Sequence, residues 1–139
     1  MRSLFLVGMS LLAVACGDII DPTLEEVSIE LDGTIVQSID ITLSGNNVIS
    51  EPVDPDSVIV LRYNEPIDNA TAQDHIFIEN TAGEAIDATI ALQLTDVVIT
   101  PTASMTSENH TIRVESGIDD ASGNTTETAV DITFFVSAE

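Results

Sequence analysis

Residues 57–68, SVIVLRYNEPID, limit what this chain can fold into more than any other stretch. Ile59, Leu61 and Tyr63 fall on one face of a period-two ladder, with Val58, Val60 and Arg62 on the other, as in a β-strand that has one face in a core. Pro66 has no amide hydrogen to give a ladder, so the strand stops near Asn64 in an Asn-Glu-Pro turn. A strand this short buries its apolar face only against others of its kind. The chain repeats the plan of alternating run, then turn, several times, and this stretch reads as the second strand of one small β-sandwich.

The first 15 residues follow different rules. Met1-Arg2-Ser3 is a minimal basic head, and residues 4–15 are an apolar run too short to span a bilayer, which takes roughly 20 residues. The segment reads as a cleaved signal peptide and is set aside for the fold. It ends Ala13-Val14-Ala15-Cys16, and Cys16 is the sole cysteine of the sequence. This resembles the bacterial lipobox, whose cysteine is diacylated and becomes the first residue of the mature chain; Ala13 stands where that pattern usually has Leu. An ordinary secretory A-x-A site would cut the same bond. Lipidation is the preferred expectation, because a bare unpaired thiol is a liability in an oxidising compartment. The expected location is the cell envelope, at the outer membrane or cell surface rather than the inner membrane.

Charge removes whole classes of partner. The sequence has 24 acidic residues against three arginines, and no lysine. Nothing in it can neutralise a run of phosphates, so nucleic acid is excluded, as is electrostatic docking on an anionic bilayer. A lipid on Cys16 would supply the membrane affinity that the charge denies.

Residues 16–24 read as a tether. Residues 25–43 alternate around Asp32-Gly33, which suits a type I′ hairpin; whether it joins the sandwich or stands in front of it is left open. Residues 44–139 carry the remaining strands. Residues 64–74 read as a loop with no capped helix, and His75 as part of the following strand. Ile76 and Ile78 share one face there, with Phe77 opposite. Ile86, Ala88, Ile90 and Leu92 alternate; residues 96–101 end at a proline; His110, Ile112 and Val114 face one way; Val130, Ile132, Phe134 and Val136 close the chain. Seven or eight short strands of β-branched residues, separated by turns, predict an all-β antiparallel sandwich.

The order of these marks resembles the bacterial immunoglobulin-like domains of the S-layer and adhesin type. The matching residues are Tyr63-Asn64-Glu65-Pro66-Ile67-Asp68, Gly83, Thr100-Pro101, His110-Thr111-Ile112-Arg113-Val114, Asp120-Ala121-Ser122-Gly123-Asn124 and Phe134, over about residues 40–137. His110 stands where that family usually has Tyr. The resemblance implies an Ig-like sandwich without catalytic machinery, used as a spacer, an adhesive module or a companion to other exported domains.

Three kinds of site come into question. For catalysis the sequence has neither a G-x-S-x-G nucleophile elbow nor an H-E-x-x-H pair, and no enzyme is expected. For a metal, Glu65 and Asp68 lie in the loop after the opening strand, and Asp119, Asp120 and Asn124 in the loop before the last. In an Ig-like sandwich these loops share one end, so their oxygens could converge on Ca²⁺. Turn-making is the competing role for the same side chains, with Gly123 supplying a positive φ. For a protein partner, Phe77, Arg113 and Phe135 occupy outward phases of three strands of one sheet. The expected function is therefore a non-catalytic envelope lipoprotein presenting one Ig-like domain as a structural, spacer or protein-binding module, with no required cofactor. The alternative is a Ca²⁺-dependent adhesive or carbohydrate-contacting module. The Asn-x-Thr sequons at Asn69, Asn109 and Asn124 are discounted in a bacterial chain.

Overall fold

The structure, a computed structural model, describes residues 20–43 and 45–137. Residues 1–19, with the signal segment, Cys16 and the start of the tether, lie outside the described residues. The strands are β1 (Leu24–Leu31), β2 (Thr34–Asp40), β3 (Asn47–Val48), β4 (Val58–Tyr63), β5 (Ile76–Glu79), β6 (Ala88–Gln93), β7 (Asp96–Pro101), β8 (Asn109–Val114) and β9 (Val130–Phe135), with one helix, α1 (Asn69–His75), between β4 and β5. They form a five-stranded sheet in the order β2-β1-β4-β7-β6 and a four-stranded sheet in the order β3-β9-β8-β5. All pairings between these strands are antiparallel except β3 with β9. The all-β expectation holds, with half of the described residues in strands.

The inward face of β4 is the one its sequence names, and Val60 on the opposite face is buried as well. Ile59, Leu61 and Tyr63 are buried in the space between the sheets, and Arg62 is exposed beside Asp96 at 2.9 Å. Val27 and Ile29 of β1, Val97 and Ile99 of β7, Ile76 and Ile78 of β5, Ile112 and Val114 of β8, and Ile132 and Phe134 of β9 meet them there. Branched aliphatic side chains fill most of this core, which suits the stiff χ1 of Val and Ile on pleated strands. Burial pushes the Tyr63 phenol above its ordinary pKa.

The structure answers the question about the N-terminal hairpin. β1 runs between β2 and β4, so the hairpin is part of the sandwich. Its turn has Asp32 at φ 53° and Gly33 at φ 79°, both positive as a type I′ turn requires. With the hairpin and β3 placed first, residues 58–63 form the fourth strand in chain order, not the second. Their place in the sheet is still that of an Ig strand B, next to the first strand and to β7.

A second correction concerns residues 69–75, read from sequence as loop and strand. They form α1, with Asp68 as its N-cap: the Asp68 carboxylate accepts the Thr71 amide at 3.0 Å. His75 is its last residue and lies outside β5. A helix of seven residues with one buried side chain, Ala72, is too short to show a 3.6-residue period.

The chain enters the sandwich at the end where β4 finishes. There the Thr23 amide donates to Asn64 Oδ1 at 2.8 Å, and the Asn64 amide donates to the Thr23 carbonyl at 3.0 Å. This two-way clasp ties the residue before β1 to the loop after β4. α1 and the loop between β8 and β9 lie at the same end, and β9 finishes at the other.

Candidate functional site

The two acidic loops do meet. Ile67 and Asp120 form an antiparallel bridge, and the Asp68 amide donates to the Asp119 carbonyl at 2.7 Å. The Asp119 amide in turn donates to Thr71 Oγ1 at 3.1 Å, so the second loop is fastened to α1 as well. Below the bridge, Thr126 Oγ1 accepts the amides of Gly117 and Ile118, each at 3.0 Å.

The side chains are occupied locally. Asp120 is buried, and its Oδ1 accepts the amides of Ser122 and Asn124, both at 2.8 Å, while Oδ2 accepts from Asn124 Nδ2 at 2.8 Å. This is an Asx-type turn closed by Gly123 at φ 94°. Burial acts to raise the Asp120 pKa; the Asn124 side chain and the backbone amides of Asn124 and Ser122 outweigh it, with Glu65 acting in the same sense. The carboxyl is held below its ordinary range. Asp119 Oδ1 accepts the Thr125 hydroxyl at 2.7 Å, and Asp68 caps α1. The five residues named for Ca²⁺ are thus gathered at one end; Asp68 and Asp120 hold the backbone of their own loops, and Asp119 and Asn124 bond side chains within theirs. Among the described residues no group of three or more His, Cys, Asp or Glu is placed to hold a metal ion.

The two histidines sit apart in the fold. His75 Nδ1 lies 2.7 Å from the Thr71 carbonyl within α1. His110 is buried at the other end of β8, stacked on Phe134 with ring centres 5.4 Å apart, and its Nδ1 lies 3.1 Å from the Glu108 carbonyl. It fills the core position that an aromatic ring would take.

Phe77, Arg113 and Phe135 all point outward from the four-stranded sheet, yet they do not make one cluster. Phe77 is opposite Arg113, which is opposite Asp131, and Arg113 reaches Glu79 at 3.5 Å and Asp131 at 3.6 Å. Phe135 is opposite Asn109, four residues further along β9. That puts it roughly 13 Å along and roughly 10 Å across from Phe77. Phe77 is half-buried and Phe135 exposed. The N-terminal hairpin belongs to the other sheet and does not cover them.

Sequence reasoning passed over a different surface. Ile35 and Val36 on β2, Leu43, and Val48 on β3 are exposed, four of the seven large hydrophobics that are exposed among the described residues. The signal was there to be read: residues 33–50 contain a single acidic residue, Asp40, in a chain that holds 24.

The sequence profile of one family, described as bacterial Ig-like domain, matches residues 36–136. No curated protein matches the chain. The profile spans the strands from β3 to β9 and the clasped loops between them, and the two-sheet order is the one an Ig-like sandwich requires. The chain belongs to the bacterial Ig-like domain family.

Proposed function

We propose that this chain is an exported, non-catalytic module of the bacterial cell envelope, held to a membrane by a lipid on Cys16, whose Ig-like sandwich serves as a structural or protein-binding unit. Membership of the bacterial Ig-like domain family carries the reading. The way the polar side chains are used supports it. The carboxylates of Asp68, Asp119 and Asp120 hold turns and a helix cap, and the histidines hold a helix end and a core position. The reading needs neither a bound cation nor a reacting group.

The clasp between Thr23 and Asn64 fits a tethered domain, since it fixes where the tether leaves the sandwich. From Cys16 to Thr23 the chain spans at most about 25 Å when extended. The acidic loops around Asp68 and Asp120 would then face the membrane, and the far end of β9 would face away. Intact mass spectrometry of the membrane fraction tests the anchor: the expected mass is that of the chain from Cys16 plus a diacylglyceryl group. A bare Cys16 terminus would remove the lipoprotein reading. Cys16→Ala is expected to move the protein to the soluble fraction.

A further inference from the structure

β2 is the outermost strand of the five-stranded sheet and is hydrogen-bonded only to β1. Its phase can be worked out. The Ile41 amide donates to the Glu25 carbonyl at 2.9 Å, and Ser38 lies opposite Ser28 with Asp40 opposite Glu26. In an antiparallel ladder, bonded and non-bonded pairs alternate, so residues 37, 39 and 41 bond to β1. Ser38 and Asp40 therefore turn their N–H and C=O groups to the open side.

The other lateral edges of the sandwich are crossed by a side chain, covered by a segment or very short. Gln73 of α1 donates to the Ile90 carbonyl on β6 at 3.4 Å. The edge of β5 is covered by the segment after it, through the Glu79–Ala85 bridge and the Ile86 amide on the Ile78 carbonyl. β3 is two residues long. β2, with seven residues, is the long edge left open.

Edge strands are usually blunted by charged side chains. β2 has a bulge at Val36, where the register to β1 shifts, but residues 33–39 carry no charge at all. Ile35 is 53% and Val36 55% exposed. The acids resume immediately outside: Asp32 and Asp40 flank the stretch, both exposed. Beside it, Gln37 Nε2 donates to the Glu51 carbonyl at 3.1 Å, linking β2 to the chain just past β3. In the other sheet, a groove of about 660 Å³ runs along β3, lined by Leu43, Val48, Asp131 and Thr133 among others. A neutral, apolar edge bracketed by carboxylates has a defined complement.

We propose that the edge of β2 takes up an extended strand from a partner protein, apolar and uncharged at its centre and basic near each end. This deepens the proposed binding-module function and rests on it. Main-chain bonds to Ser38 and Asp40 provide the docking, Ile35 and Val36 the apolar contact, and Asp32 and Asp40 the pairing with basic residues spaced about 27 Å apart. A second copy of this chain is a poorer occupant. Antiparallel pairing of β2 with β2 turns one copy end for end, which two copies anchored through Cys16 in one membrane do not permit. Both copies would also carry the same large negative charge.

The test selects 12-residue peptides from a random phage-displayed library against the full-length chain in detergent micelles. Binding is measured by fluorescence anisotropy, and contacts are located by amide hydrogen exchange. The expected peptides alternate apolar residues between basic ends, slow exchange at Ser38 and Asp40, and bind more weakly as salt rises. Ser38→Pro removes an outward amide without removing a bond to β1, and is expected to weaken binding by about 10-fold or more. Asp32→Asn with Asp40→Asn, which leaves the backbone pattern untouched, is expected to weaken binding several-fold and flatten its salt dependence. Peptides that instead protect the outer face around Phe77 and Phe135 would keep the binding-module reading and overturn the edge assignment. Failure to select any peptide would overturn the edge assignment and the protein-binding half of the proposed function, leaving the structural half. Dimerisation through β2, seen as a mass doubling in ultracentrifugation that Ser38→Pro abolishes, would overturn the choice of partner.

Discussion

Deleting residues 1–35, so that the chain starts where the family profile starts, is predicted to abolish folding even though every residue of the profile is retained. The deletion removes all of β1, which lies between β2 and β4 and whose Leu24, Val27 and Ile29 are 4%, 0% and 0% exposed. At about 1.5–3 kcal/mol for each fully buried aliphatic side chain, those three contribute about 5–9 kcal/mol. The net stability of a domain is only about 5–15 kcal/mol, so their loss alone consumes most of it. The ladder from β1 to β4 is lost as well, which leaves β4 with a bare edge and β2 with no partner. The assay is urea unfolding followed by far-UV circular dichroism, comparing chains that begin at residue 17 and at residue 36. The longer chain should unfold cooperatively, and the shorter should show no transition. Ile29→Ala in the longer chain provides a graded check, with an expected loss of about 2–5 kcal/mol at an unchanged slope with urea. A chain starting at residue 36 that unfolds cooperatively at a similar midpoint would refute the argument that β1 belongs to the core.

Three further outcomes follow from the geometry. His110→Phe should raise stability by about 1 kcal/mol, because the buried Nε2 has no hydrogen-bond partner among the described residues and the Glu108 carbonyl keeps the Val136 amide; thermal unfolding measures this. Asp120 and Glu108 should both make the fold acid-sensitive. Hydrogen bonds from Thr106 and Thr81 lower Glu108 from 4.5 to about 2, and Asp120 is also held below its ordinary value, so the unfolded chain binds more protons than the folded one in acid. Their contribution is therefore in full above roughly pH 4.5 and drains away as pH falls toward roughly 2; Glu108→Gln should flatten that part of the Tm-against-pH curve. Calcium should shift the Tm no more than magnesium at equal ionic strength, since the carboxylates of Asp68, Asp119 and Asp120 are engaged in their own loops. A calcium-specific rise with a saturating calorimetric heat would reinstate a metal role for that end.

What the sequence disclosed and what it withheld divide along physical lines. Alternation needs no partner to be visible, so the faces of β4, β5, β8 and β9 were legible residue by residue, as was the positive-φ turn at Asp32-Gly33. The meeting of the two acidic loops followed from the topology that the resemblance implied. The place of β1 was not legible, because which strand lies against β4 depends on an edge that only the assembled sheet offers. Asp68 was left between two roles for a related reason. An N-cap and a metal ligand are the same side chain, and only the position of the Thr71 amide separates them. Likewise Phe77 and Phe135 share an outward phase, but their separation depends on the register between β5, β8 and β9.

The parallel contact of β3 with β9 extends beyond the two residues of the strand itself. Ile49 donates to the Thr133 carbonyl at 2.9 Å, Val53 to the Phe135 carbonyl at 2.9 Å, and Ser137 to the Val53 carbonyl at 3.0 Å. A pull between the tether end and the end of β9 acts along the strand axes, so these bonds share the load in shear instead of opening one by one like a zipper. A sandwich loaded this way resists tension through its geometry, whatever it holds.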